Sequence, residues 1–155
     1  MIALKKILFP TDFSDGAKAA QEYAVALAEQ FKSELHVLHV LADMVMMMPE
    51  PGSALALPPN YLVDLKTQAE QSLAGVLSGA GQTGLSVVRA LRMGSPFVEI
   101  VRYAKEADID LVVLGTHGRG ALMHILLGSV AERVVRKAQC PVLTVHRAGH
   151  QFVMP

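Results

Sequence analysis

The sequence predicts a Rossmann-like α/β protein, three layers deep (α/β/α), with a five-stranded parallel sheet in the order 3-2-1-4-5. Short, nearly continuous apolar runs alternate with stretches of helical length and period. The runs lack polar alternation, as strands of a parallel sheet do when helices cover both faces. Right-handed crossovers then leave only a handful of topologies. With 155 residues, 52% hydrophobic and 18% charged, the chain has material for one buried core, and residues 1–155 are expected to form a single domain.

Each element has its own signal. Lys6–Pro10 reads as the first strand. Ser14–Phe31 opens on Ser and Asp in capping positions and sets Ala17, Ala20, Ala24, Leu27 and Phe31 at helical spacing. Glu34–Leu41 is the second strand. Ala42–Pro59 then breaks the rhythm with four of the eight methionines and four of the eight prolines. Its prolines exclude regular structure throughout, so it reads as an irregular insert. Consecutive methionines point in different directions, which favours adaptable apolar packing over a soft-metal site. Asn60–Gly81 is a helix running from an Asn cap to terminal glycines, and Leu85–Leu91 is the third strand. Ser95–Ala107 has a Ser cap and Pro96 at the first helical position, where a missing N–H costs least. Asp110–Gly115 is the fourth strand. Ser129–Ala138 starts on another Ser cap and carries Arg133, Arg136 and Lys137 toward the negative end of its dipole. Pro141–His146 closes the sheet.

Composition excludes several functions. Fourteen Lys and Arg balance fourteen Asp and Glu, without the basic excess or stripe of a nucleic-acid-binding domain. No apolar run approaches the roughly 18–20 residues that span a bilayer. The opening stretch is short and interrupted by Lys5 and Lys6, unlike a signal peptide. No nucleic-acid or membrane partner is expected, and a cytoplasmic location is. The single cysteine, Cys140, excludes an internal disulfide and a multi-cysteine metal site and reads as a structural thiol.

The predicted strand order sets the carboxyl ends of the first and fourth strands side by side, at a topological switch point where ligands bind. The first strand ends Pro10-Thr11-Asp12-Phe13-Ser14. A carboxylate there can accept hydrogen bonds from ribose hydroxyls or an exocyclic amine, help hold a metal, or cap the following helix. The fourth strand gives way to Gly115-Thr116-His117-Gly118, and nine residues later Gly128-Ser129 opens the last helix. Glycines let the backbone approach a ligand, and a helix N-terminus offers N–H groups and positive dipole to phosphate. The same residues also serve as plain turns and caps. Other nucleotide signatures fail. There is no G-x-x-x-x-G-K-[ST], and Met123 stands where a G-x-G-x-x-G begun at Gly118 needs its third glycine. No G-x-S-x-G elbow occurs.

Pro10-Thr11-Asp12-Phe13-Ser14, Leu38-His39-Val40, Gly115-Thr116-His117-Gly118, Gly128-Ser129-Val130 and Pro141-Val142-Leu143-Thr144-Val145 together resemble the universal stress protein family over nearly the whole chain. The spacing G-2x-G-9x-G-[ST], met by Gly115, Gly118, Gly128 and Ser129, is similar to that of the family's ATP-binding branch. The resemblance implies that Pro10, Thr11 and Asp12 line an adenosine pocket and that Val40 meets adenine through its backbone. It implies Gly115 beside the ribose, with Gly118, Gly128, Ser129 and Val130 holding phosphates through main-chain N–H groups. ATP would come with Mg²⁺, and ADP or AMP are open alternatives. It also implies a homodimer through the last strand, residues 141–146, paired antiparallel with its mate. That strand is an apolar edge with few charges to protect it.

Among the histidines, His36 and His39 are three apart on a strand, so they face opposite sides of the sheet and cannot chelate one ion. His117 sits in the glycine turn, where it can reach a phosphate oxygen, and Arg119 can supply a cation there. His124 is expected to pack, while His146 and His150 have no evident partner in the sequence. Phosphoryl transfer wants a positioned base for water, and none is identified, so no catalytic residue is assigned. The expected function is an ATP-binding stress protein acting as a nucleotide-dependent switch. The alternatives are a slow metal-dependent ATPase on the same fold and a dimeric interaction protein that holds no nucleotide.

Overall fold

Strands and helices alternate as the apolar periodicity requires. The computed structural model describes residues 3–42, 58–78, 84–116 and 128–146. Within them lie β1 (Lys6–Pro10), α1 (Asp15–Phe31), β2 (Glu34–Ala42), α2 (Tyr61–Gly75), β3 (Val87–Gly94), α3 (Pro96–Glu106), β4 (Leu111–Gly115), α4 (Ser129–Lys137) and β5 (Val142–Val145). The sheet order is β3-β2-β1-β4-β5, with every neighbouring pair parallel. This is the order predicted, and β1 and β4 do lie side by side. Most of the insert read at Ala42–Pro59 lies outside the described residues.

Side-chain alternation along the strands builds two cores. Ile7, Phe9, Leu35, Val37 and Val113 face α1 and α2, where Ala17, Ala20, Ala24, Ala28 and Leu73 meet them. Leu8, Leu38, Val112 and Leu114 face α3 and α4, where Ile100, Tyr103, Ala104, Ala131 and Val134 meet them. Ile7, Leu8 and Phe9 are therefore all fully buried on the central strand. Both faces are apolar, which is why this strand reads as an unbroken run.

The element ends correct several expectations. Ser14 caps α1 as predicted, its Oγ accepting the Ala17 N–H at 3.3 Å. Asn60 and Ser95 occupy N-cap positions but make no side-chain capping bond. The cap of α4 is Gly128 rather than Ser129, which is the first helical residue. The second helix was expected to continue to Gly81 and stops at Gly75. Leu77 turns to a φ of 59°, and Arg89 on β3 donates to the carbonyls of Leu73 at 3.2 Å and Val76 at 2.7 Å. An arginine from a neighbouring strand satisfies this helix end, and local sequence carries no sign of it. The third strand runs Val87–Gly94 rather than Leu85–Leu91, because it stays paired with β2 as far as Ala42.

As their spacing predicts, His36 and His39 face opposite layers. His36 is buried, with Nε2 2.7 Å from Glu34 Oε1 and Nδ1 2.8 Å from the Tyr103 hydroxyl. A carboxylate only accepts, so Nε2 carries a proton, and in the tautomer with that proton alone Nδ1 accepts from Tyr103. Tyr103→Phe strands that buried nitrogen and is expected to cost about 1–3 kcal/mol in urea unfolding. Burial raises the Tyr103 phenol above its ordinary 10.0, against the opposing Arg92 guanidinium and with help from the Glu34 carboxylate. The folded state thus favours the protonated phenol. The stability it lends is whole below the unfolded pKa and is lost as pH rises through the raised folded value. Tyrosinate absorbance followed against pH should show one late-ionising tyrosine, absent from Tyr103→Phe.

Candidate functional site

Two loops leave the sheet where its strand order reverses, one after β1 and one after β4. The second begins under a tight constraint. A Cβ at Gly115 would lie 2.6 Å from the carbonyl oxygen of Gly16 in the first turn of α1. Contacts that short do not occur, so only glycine lets β4 end against this helix. The next residue, Thr116, is buried and gathers three elements. Its N–H donates to Val145 at 3.0 Å, its carbonyl accepts the Gly128 N–H at 2.6 Å, and its hydroxyl lies 3.2 Å from His146 Nδ1. Thr116 therefore joins β4 to the end of β5 and to the start of α4.

The turn after β1 is held from two directions. Thr11 is buried, and its N–H continues the ladder to Leu38 at 2.8 Å. Its hydroxyl accepts the Phe13 N–H at 3.0 Å, and Asp12 Oδ1 accepts the Ser14 N–H at 3.0 Å. Phe13 has a φ of 64°, a left-handed conformation that a bulky residue adopts only when its surroundings impose it. Those surroundings include His39 on β2. Its Nδ1 lies 2.7 Å from the Thr11 carbonyl oxygen, and its ring centroid is 4.4 Å from that of Phe13. A carbonyl only accepts, so Nδ1 is the protonated nitrogen.

Most of the sequence-predicted site residues fall around these two loops. Pro10 ends β1 opposite Leu38, with Thr11 and Asp12 following. Val40 lies on β2 opposite Arg92, half-buried on the α3 side. Gly115, Thr116 and Gly128 meet as described, and Ser129 and Val130 form the first turn of α4. In an α-helix the first-turn N–H groups have no intrahelical acceptor. Gly128 was expected to offer its amide to phosphate; here that amide is donated to Thr116. His117, Gly118 and Arg119 lie outside the described residues, as do His124 and His150.

Three contributors escaped the sequence reading. Gly16 resembles any small residue of a helical first turn. His39 was assigned to packing or interface roles. His146 was left without a partner, although the parallel register that aligns Gly115 with Val145 brings it beside Thr116. Among the described residues no group of three or more His, Cys, Asp or Glu side chains could hold a metal ion. Cys140 is half-buried against the α3–α4 core, and burial pushes its thiol above the ordinary range, in keeping with a structural role. Nor is any described helix long and apolar enough to cross a membrane.

The sequence profile of the universal stress protein family matches residues 3–146. The chain belongs to that family. Universal stress protein MJ0531 of Methanocaldococcus jannaschii is 36% identical over 144 residues, which cover 92% of this chain and 82% of the relative. The solved structure of MJ0577 from the same organism superposes with a TM-score of 0.82 at 31% identity, covering 96% of this chain and 99% of that one. UspA from Lactobacillus plantarum gives 0.74 at 29% identity, covering 94% and 99%. Two more distant universal stress protein structures share the fold. One is a complex with cAMP, with a TM-score of 0.59 at 22% identity. The other, from Arabidopsis thaliana, has AMP bound, with a TM-score of 0.65 at 20% identity.

The contact between Gly115 and Gly16 is open to a direct test. Gly115→Ala forces α1 away from the sheet and is expected to lose about 1–3 kcal/mol in urea unfolding. Gly75→Ala, at a position with nothing within 4 Å of an added Cβ, should lose none.

Proposed function

We propose that this universal stress protein binds an adenine nucleotide, ATP with Mg²⁺ foremost and ADP or AMP as alternatives, in the crevice outside β1 and β4. It acts as a nucleotide-dependent switch in a stress response. The observation that carries the reading is the meeting of the Asp12 turn, the Gly115–Thr116 strand tip and the α4 N-terminus where the sheet order reverses. Open α/β sheets take their ligands at that point. The G-2x-G-9x-G-[ST] spacing supports phosphate there. So does the AMP- and cAMP-bound state of two proteins of the same fold.

In this reading Pro10, Thr11 and Asp12 line the adenosine, Val40 offers its backbone to adenine, and Gly115 borders the ribose. The first-turn amides of Ser129 and Val130 and the backbone at Gly118 receive the phosphates, with His117 and Arg119 beside them. Gly128 joins this phosphate-binding turn and also ties α4 to Thr116 through its amide. Mg²⁺ neutralises phosphate charge when bound. The described carboxylates do not form a cage, so the donor set suits an ion held mainly by phosphate oxygens and water. No base for an attacking water is identified, so binding outweighs turnover. The protein works as one cytoplasmic domain. It pairs with a second copy through β5, an edge strand that exposes Leu143.

Calorimetric titration of nucleotide-stripped protein with ATP and Mg²⁺ tests the reading. Wild type should bind and Gly118→Leu should not. Asp12→Asn keeps an acceptor for the Ser14 amide while removing the charge, and should weaken binding about tenfold. A folded wild type that binds no nucleotide would reject the switch in favour of a dimeric interaction protein, and rapid metal-dependent phosphate release would favour an ATPase. Separately, Leu143→Glu should turn the dimer into a monomer in sedimentation velocity.

A further inference from the structure

We infer that His39 is the positioning residue of the candidate site. It fixes the carboxylate of Asp12 by holding the residues on either side of it. The hydrogen bond from Nδ1 at 2.7 Å immobilises the carbonyl of Thr11, immediately before Asp12. The imidazole ring, 4.4 Å between centroids and tilted by 37°, packs against Phe13, immediately after it. Thr11 and Phe13 are themselves linked by the 3.0 Å bond from the Phe13 N–H to the Thr11 hydroxyl. Asp12 is therefore the middle residue of a three-residue turn clamped at both ends by one side chain from the next strand.

The clamp has work to do. Phe13 sits at φ 64°, a strained conformation for a bulky residue that persists only when packing over-determines it. Released from His39, the turn can relax toward ordinary φ. That relaxation swings the peptide between Asp12 and Phe13 and with it the acceptor that Oδ1 offers the Ser14 amide. The imidazole supplies both a donor directed at a carbonyl and a ring that packs against Phe13. A purely apolar packing residue supplies only the second. His39 also comes from β2 beside Val40, so one strand segment places both the Asp12 turn and the backbone assigned above to the adenine side.

The consequence for nucleotide affinity rests on the reading proposed above, so the test has one arm that needs no nucleotide. Amide hydrogen exchange in the unliganded protein is followed at Phe13 and Ser14 in wild type, His39→Leu and His39→Asn. Asn carries an amide nitrogen as many bonds from Cα as His Nδ1, so it restores the donor. His39→Leu should speed exchange at these two amides by about tenfold or more over any change at β1 and β4 core amides, and His39→Asn should restore most of the protection. Uniform acceleration across the core, or no local change, would overturn the positioning role. Titration of the same proteins with ATP and Mg²⁺ forms the second arm. His39→Leu should bind about tenfold more weakly, and His39→Asn close to wild type. Unchanged affinity in His39→Leu with a loosened turn would overturn the link from His39 to the ligand. If wild type binds no nucleotide, the nucleotide reading fails, and the exchange arm decides the positioning of Asp12 on its own.

Discussion

The close approach of β4 to α1 is the constraint on which the candidate site depends. Two backbones meet at Gly115 and Gly16 with no room for a Cβ on the strand side. A larger residue at 115 would lift the first turn of α1, which is also where the β1 loop ends and where Ser14 caps the helix. One contact thereby sets the β4 tip against the helix turn that follows the β1 loop. Beyond it Thr116 ties the same tip to β5 and α4. A crevice at a switch point exists in any doubly wound sheet. This one is given definite walls by a glycine contact and a buried threonine.

The second strand shows how one sequence run serves both layers. His36 and His39 sit three residues apart and so face opposite sides. His36 is sealed between Glu34 and Tyr103 within the α3 layer, where its polar atoms are satisfied and it belongs to the packing. His39 reaches across to the end of β1 and holds a loop. Their surroundings differ because Thr11 presents a backbone carbonyl beyond the end of β1, whereas the middle of a strand pair has none to spare. The carboxyl end of the sheet is where such unpaired carbonyls and amides accumulate, so polar side chains find loop partners there.

The fold was legible because its signals are local and redundant. β-branched and Leu-rich runs without alternation, Ser14 before a helical alanine spacing, and Pro96 at a first helical position each indicate their element independently. Crossover handedness narrowed the strand order to a handful of topologies, and the doubly wound pattern supplied the order among them. What escaped were contacts between residues far apart in sequence. Arg89 ends α2 from a strand, so glycines further on suggested a longer helix than forms. The glycine at 115 was read for its openness to a ligand, while its neighbour in the structure is another backbone. Gly128 was read for phosphate because a helix start offers amides, and the structure adds that its amide is bonded to the Thr116 carbonyl, a contact across the chain that local sequence does not show. His146 becomes meaningful once register pairs Gly115 with Val145.

That same bond between Gly128 and Thr116 bears on how a switch in this molecule would have to work. A ligand shifts a conformational equilibrium only by binding one state better than another. A site made solely of rigid strand tips would offer no second state to select. Among the described residues, a short backbone bond joins the start of α4 to Thr116, and Thr116 is bonded in turn to Val145 and faces His146 at the sheet's edge. A phosphate received by the amides of Ser129 and Val130 would pull on the helix that Gly128 anchors. The strain would pass to Thr116, which cannot yield without disturbing the end of β5. On the proposed reading, nucleotide occupancy and the geometry of the exposed edge strand would share one buried residue. A nucleotide-dependent change in how this protein presents β5 to a second copy needs no longer path than that.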